Sequence, residues 1–205
     1  MREASIKKWL GVVLPVIALL DIYFFYQAII LGHRVIYDEF QIMENLQAIF
    51  LVGSFLIFLY AFFKAEASEK AVVFTGMLLW LTMFLREVDF EEVNVPELIK
   101  WFLAGKVKDS ILAVVWVVTL GYLLKHRART LSYVKSIVFS EVGMVVFTGG
   151  VLLVIGAIFE KLHFPQHDFY EELSELNGYI FIFLGSLLFP GLLDRLRKSK
   201  RKEIS

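Results

Sequence analysis

The chain has 205 residues, of which 58% are hydrophobic, and its mean hydropathy is +0.68. This apolar fraction exceeds the roughly 45–50% expected of a soluble domain and is typical of a membrane protein. Basic and acidic residues number 21 each, so the net charge of zero indicates no nucleic-acid partner. The absence of cysteine excludes disulfides, iron–sulfur clusters and thiolate chemistry.

Six apolar runs follow one another along the chain, and a helix crosses a bilayer with about 20 apolar residues. The runs are continuously apolar and do not alternate, which predicts helices and not strands. The sequence therefore predicts an all-α fold, with a single membrane domain over residues 1–205. The predicted transmembrane helices are 9–31, 45–63, 71–86, 109–125, 136–159 and 178–194.

The lysines and arginines of the connecting segments predict the orientation of these helices. If both termini are cytoplasmic, fifteen of the 21 basic residues fall on the inner side, in agreement with the positive-inside rule. The tail RLRKSKRK is the most basic segment of the chain. We therefore expect a multi-pass protein of a bacterial-type inner (plasma) membrane, with its basic segments facing anionic lipid head groups.

The acidic residues are distributed in the opposite way, since fourteen of the 21 lie in the outer loops or at their mouths. Acidic residues contribute little to topology, so the positive-inside rule does not require this asymmetry. The acidic outer side therefore needs its own explanation. The residues predicted to form a functional polar cluster there, or within the adjoining helices, are Asp21, Glu44, Arg86, Glu87, Asp89, Asp168 and Glu172.

The densest group of acids precedes the sixth helix, where residues 165–177 are predicted to form an amphipathic helix that begins at its proline. At about 100° per residue, Asp168, Glu171, Glu172 and Glu175 share one side of this helix. Like charges four residues apart destabilise a helix unless water, a basic side chain, a bound cation or a raised carboxyl pKa compensates.

Two histidines border this acidic segment. Together with Glu171 and Glu175, His163 and His167 supply nitrogen and oxygen ligands of the kind that bind a divalent cation, and these four residues form a candidate metal site. The proline between the histidines argues against a shared helical face. The alternative is a solvated acidic face with ordinary loop histidines.

Arg86, Glu87 and Asp89 follow the third apolar run directly and are expected at the outer boundary of the membrane. Arg86 is expected either to pair with Glu44 or a carboxylate of 171–175, or to end its helix and extend toward the interface. Glu44 opens the second helix, where interaction with the helix dipole is an alternative explanation for an acid.

Asp21 lies near the middle of the first predicted helix, where an ionised carboxylate costs about 2.5–3.5 kcal/mol. It must therefore face protein or water, pair with another group, or be protonated. A second amphipathic piece, about 96–104, carries Trp101 and Phe102 beside lysines and is expected to lie in the outer interface.

The motifs of several enzyme classes are absent, including phosphate-binding glycine loops, dinucleotide fingerprints, G-x-S-x-G and H-E-x-x-H. The four histidines lie in loops or at helix ends, so no haem is expected, and neither is a nucleotide or an iron–sulfur cluster. A divalent cation remains the candidate cofactor.

Three functions remain open. The first is a membrane subunit, sensor or scaffold with a cation-binding acidic cluster. The second is a cation channel or transporter with Asp21 as a relay, and the third is a metal-dependent enzyme acting on lipid-linked or periplasmic substrates. Expected partners are membrane lipids, further copies of the chain or other membrane subunits. Convergence of Glu44, Arg86 and the 171–175 carboxylates on a common cavity would support a site, and separate exposure to water would argue against it.

Overall fold

The computed structural model describes residues 3–37, 42–88, 90, 96–103 and 105–204. This part of the chain is helical and contains no strand, as predicted. A π-helical turn, Tyr26–Ile30, extends the first helix, and a short 3-10 turn, Arg34–Ile36, follows it. The helices are α1 (Glu3–Phe25), α2 (Ile42–Lys64), α3 (Lys70–Glu87), α4 (Glu97–Leu103), α5 (Gly105–Lys125), α6 (Arg127–Val138), α7 (Glu141–Phe159) and α8 (His167–Ile204).

Five of the described helices are long and apolar enough to cross a membrane: α1 with its π-helical turn, α2, α5, α7 and α8. The third predicted span corresponds to α3, which has 18 residues and is about 27 Å long. Lys70, Arg86 and Glu87 lie at its ends, so only the 15 residues 71–85 between them are free of charge.

Helix α8 is the central element of the fold. It packs chiefly against α7 and α2, and also contacts α1. Two buried clusters share its apolar side chains, one around Tyr179 and Ile182 and the other around Phe169 and Leu176. With its surface largely covered by other helices, α8 presents side chains to the interior from one end of the molecule to the other.

Glycines allow α7 and α8 to approach closely. A Cβ atom added at Gly149 would lie 2.7 Å from the carbonyl oxygen of Gly178, and one at Gly156 would lie 2.8 Å from Cγ of Glu175. Small residues at a helix–helix interface permit such backbone contact in membrane proteins. The packing places the acidic first turns of α8 directly against the end of α7.

Some helix boundaries differ from the predicted ones. The predicted span 136–159 is divided at Ser140, which caps α7 by accepting a hydrogen bond from the Gly143 amide at 3.1 Å. The predicted segment 165–177 does not begin at its proline, because Gln166 has a positive φ of 67° and α8 begins at His167. Helix α8 also continues beyond 194 to Ile204, through Pro190.

The helices bring charged groups together at two opposite ends. We call the end formed by Glu44, Arg86, Glu87 and Glu171–Glu175 the acidic end, and the end formed by Lys64–Lys70, α6 and Arg197 the basic end. At the basic end, Arg197 donates to the Glu69 carboxylate at 3.0 and 2.6 Å and to the carbonyl oxygen of Lys64 at 3.0 Å. This ion pair joins the α2–α3 turn to α8.

Candidate functional site

A cavity of about 610 Å³ lies at the acidic end, among α2, α3, α7 and α8. We call it the acidic cavity. Its apolar lining comes from Met83, Leu153, Val154 and Ala157, and its charged lining is six carboxylates and one guanidinium: Glu44, Glu87, Glu160, Glu171, Glu172, Glu175 and Arg86. The structure thus places Glu44, Arg86 and the 171–175 carboxylates around one cavity, which is the arrangement that supports a site.

The predicted one-sided arrangement of acids on α8 accounts for much of this lining. Glu171, Glu172 and Glu175 lie on the side of α8 that faces the cavity. Asp168 is not among the lining residues, and its exposed carboxylate lies 2.8 Å from Nδ1 of His167. Three of the four predicted carboxylates therefore belong to the cavity, and the fourth belongs to the exposed start of α8.

Glu87 contacts both Tyr179 and Arg86 at the acidic cavity. Its Oε1 atom accepts a hydrogen bond from the hydroxyl of Tyr179 at 2.6 Å and lies 3.0 Å from a terminal nitrogen of Arg86. The same guanidinium reaches Glu175 at 3.9 Å, while 70% of the Arg86 side chain stays exposed. Arg86 therefore both pairs with carboxylates and extends outward, which combines the two alternatives predicted for it.

Gln47 connects α2 to the acidic wall of the cavity. It is 0% exposed, and its Nε2 atom donates to Oε2 of Glu172 at 2.8 Å and to the Glu172 carbonyl oxygen at 3.3 Å. The Oε1 atom of the same amide is buried and has no hydrogen-bond partner among the described residues. A buried amide acceptor without a donor costs free energy.

The carboxylates of the cavity repel one another. Glu172 lies within electrostatic range of Glu175, Glu44 and Glu171, and Glu175 lies within range of Glu87 and other acids. Only 12% of the Glu175 side chain and 13% of the Glu87 side chain are exposed, so water screens them poorly. One guanidinium does not balance six carboxylates, and further positive charge would be stabilised there.

The four residues of the candidate metal site are not brought together. Ligand atoms of His167, Asp168 and Glu171 lie within 4.8 Å of one another, whereas Glu175 is directed toward Arg86. The exposed His163 ring is 6.4 Å from the His167 ring, measured between centroids. The resulting three-residue group occupies the first turn of α8, where the helix dipole disfavours a cation.

Asp21 lies apart from the acidic cavity. It is half-buried and accepts a hydrogen bond from Nδ2 of Asn177 at 2.9 Å, so it makes a polar contact with protein, one of the arrangements expected for it. At about 100° per residue, Asn177 lies about 200° around α8 from Glu175. The body of α8 therefore separates Asp21 from the carboxylates of the cavity. Asp89, the remaining residue of the predicted cluster, lies outside the described residues.

The sequence pattern did not identify two side chains that hold carboxylates of the cavity. Tyr179 stands within an apolar run and resembles an ordinary core aromatic, although its spacing of four residues from Glu175 places both on one helix face. Gln47 follows Glu44 by three residues within an otherwise apolar helix, and that spacing is the signal that could have identified it.

Comparison of the chain with known proteins found no matching protein-family model, no matching curated protein and no matching solved structure.

Proposed function

We propose that the chain is a multi-pass protein of a bacterial-type inner membrane that binds a cation in the acidic cavity on the outer face. It acts as a membrane subunit or sensor. The observation that carries this proposal is the convergence of six carboxylates from different parts of the chain on one cavity that contains a single guanidinium. An outer location would give the cavity access to cations from outside the cell.

The topology in this proposal has six spans and cytoplasmic termini. The separation of acidic and basic groups at opposite ends of the helices supports it, because the basic end is then cytoplasmic. Helix α3 is the sixth span. It packs along α2, and α5 is attached to it by hydrogen bonds from Lys108 to the Leu85 carbonyl at 2.8 Å and from Trp116 to Thr82 at 3.0 Å.

A binding site agrees better with the geometry than the other two functions. A channel with Asp21 as its relay requires a polar path from the cavity to that residue, and α8 lies between them. A metal-dependent enzyme requires the candidate ligands to converge, and Glu175 lies away from the His167 group. Of the three functions, cation binding is the one that requires only the shared cavity.

The absence of cysteine makes the topology simple to test. Single cysteines are introduced by Asp168→Cys at the acidic end and Ser199→Cys at the basic end, and cells are treated with a membrane-impermeant maleimide. Labelling of the Asp168→Cys chain alone is expected, with Ser199→Cys labelled only after permeabilisation. Labelling of Ser199→Cys in intact cells would overturn the topology.

Cation binding is tested with the full chain in lipid nanodiscs at low ionic strength. Mg²⁺, Ca²⁺ and organic ammonium ions are each titrated while thermal unfolding is recorded. At least one of them is expected to raise the Tm of the wild type and not that of the Glu172→Gln/Glu175→Gln variant. The control Asp194→Asn removes an exposed carboxylate from the basic end and is expected to respond as the wild type does. A Tm that no cation raises would contradict the proposal.

A further inference from the structure

The acidic cavity is too large for an isolated metal ion. Its volume of about 610 Å³ is many times the roughly 30 Å³ that one water molecule occupies in the liquid. A metal ion would contact only the carboxylates and leave most of the space to water. The dimensions of the cavity therefore fit an organic molecule better than a bare cation.

The lining of the cavity combines acids with an apolar surface. Leu153, Val154 and Ala157 project from α7, and Met83 projects from α3 just before Arg86. The aliphatic side chains offer no ligand atom, and the Met83 thioether is a soft ligand that does not suit Mg²⁺ or Ca²⁺, but all four can pack against methylene groups. An occupant with both positive charge and an aliphatic part would use the whole lining.

The polar groups of the cavity are almost all acceptors. The lining carboxylates accept hydrogen bonds, and the fully buried Oε1 of Gln47, next to the cavity, has no donor among the described residues. This amide lies behind the lining carboxylate of Glu172, which its Nε2 atom contacts at 2.8 Å, and Gln47 is not itself a lining residue. A primary ammonium group carries three N–H donors and is complementary to such a set.

Arg86 shows how an organic cation is held at this site. Its guanidinium contacts Glu87 at 3.0 Å but reaches Glu175 only at 3.9 Å, and its side chain is mostly exposed. The contact with Glu175 is long and accessible, so an ammonium group can replace it. Arg86 would then compete with the ligand for Glu175.

We infer that the ligand of the acidic cavity is an aliphatic amine with at least two ammonium groups, a diamine or polyamine. Two or more positive charges match the excess of carboxylates over the single guanidinium. The ammonium groups would contact Glu172 and Glu175, and the methylene chain would lie along Leu153, Val154 and Ala157. This inference rests on the proposed function and specifies its ligand.

The inference is tested by calorimetric titration of the full chain in nanodiscs with spermidine, 1,4-diaminobutane, butylamine, Mg²⁺ and Ca²⁺. Spermidine and the diamine are expected to bind at least tenfold more tightly than butylamine. Glu172→Gln/Glu175→Gln is expected to weaken spermidine binding at least tenfold, whereas the Asp194→Asn control leaves it unchanged. Arg86→Gln is expected to tighten it severalfold, because the competing guanidinium is removed.

A second variant keeps the test decisive if the double glutamine variant does not fold. Ala157→Leu adds methyl groups to the apolar side of the cavity and is expected to weaken spermidine binding at least threefold, with the carboxylates intact. Binding of Mg²⁺ or Ca²⁺ without binding of the amines would overturn the inference and leave the proposed function standing. Binding of no cation at all would overturn both.

Discussion

The two ends of the molecule differ in how their buried charged groups are paired. At the basic end, Glu69 is 1% exposed and Arg197 is 19% exposed, and each satisfies the other through several hydrogen bonds. At the acidic end, one guanidinium faces six carboxylates, and a buried amide oxygen lacks a donor. The buried charges of one end are paired, whereas the other end has more acidic than basic groups among its described residues.

We interpret the charge pair at the basic end as structural, and the proposed function uses the carboxyl groups clustered at the acidic end. A buried charge is tolerated when a partner of opposite sign and a full set of hydrogen bonds compensate for lost hydration. The Glu69–Arg197 pair meets that condition within the chain and links the α2–α3 turn to α8. The acidic cavity has one guanidinium for six carboxyl groups among the described residues, and in the proposed function a bound cation supplies further positive charge.

The largest effect is expected at the basic end. Arg197→Met would leave the buried Glu69 carboxylate without its partner and should lower the free energy of unfolding by about 3–5 kcal/mol. Denaturant unfolding in detergent micelles measures this change. The control Arg195→Met alters an exposed residue and should stay within about 0.5 kcal/mol of the wild type. Wild-type stability of the Arg197→Met chain would mean that the pair contributes nothing.

Tyr179→Phe tests the hydroxyl that binds Glu87 at the acidic end. The variant removes a hydrogen bond to a charged group and should cost about 2 kcal/mol. Unfolding is measured in the same micelles, with Tyr122→Phe, which alters an exposed tyrosine, as the control. Equal stability of the two variants would exclude a structural role for the Tyr179 hydroxyl.

Glu172→Gln should have an effect of opposite sign to Arg197→Met. The amide still accepts the hydrogen bond from Gln47, while the repulsion from Glu175 and Glu44 is removed. Two unit charges 4 Å apart interact by about 1 kcal/mol even in bulk water, so a gain in unfolding free energy of about that size is expected at low salt. Asp194→Asn provides the control. A decrease in the unfolding free energy of the Glu172→Gln chain would contradict the interpretation that its carboxylate is repelled by its neighbours.

A similarly small effect concerns the glycine behind Glu175. Gly156→Ala would place a methyl group 2.8 Å from Glu175 Cγ, whereas Gly150→Ala meets nothing within 4 Å. The Gly156→Ala chain should therefore be about 1 kcal/mol less stable than the Gly150→Ala chain, at the low end for overpacking because the contacted atom belongs to a side chain. Its affinity for spermidine should fall severalfold, because Glu175 must shift. Equal affinities of the two variants would show that the position of Glu175 does not matter.

Much of the fold was predictable because each long apolar run indicates a helix by itself, whatever the rest of the chain packs against it. The one-sided acids of α8 were predictable for a similar reason, since helical periodicity alone places Glu171, Glu172 and Glu175 together. The break at Ser140 was missed because the run 136–159 is apolar on both sides of it. The capping serine with an acid in the following turn was the available signal.

The partners in the tertiary structure could not be predicted in the same way. Glu69 looks like an ordinary loop acid, and its buried state depends on Arg197, which lies 128 residues further along the chain. Gln47 and Glu172 are 125 residues apart, and Tyr179 and Glu87 are 92 apart. Such pairings follow from the packing of α2 and α3 against α8, which a single sequence does not specify.

The continuity of α8 has a mechanical consequence. Glu172 and Arg197 belong to the same 38-residue helix, and their separation of 25 positions corresponds to about 37 Å of rise. Between those residues, Pro190 lacks an N–H group, which interrupts the hydrogen-bond ladder and allows the helix to bend. A shift of the acidic wall on ligand binding would therefore be absorbed at Pro190 or transmitted along the helix to Arg197 and the α2–α3 turn.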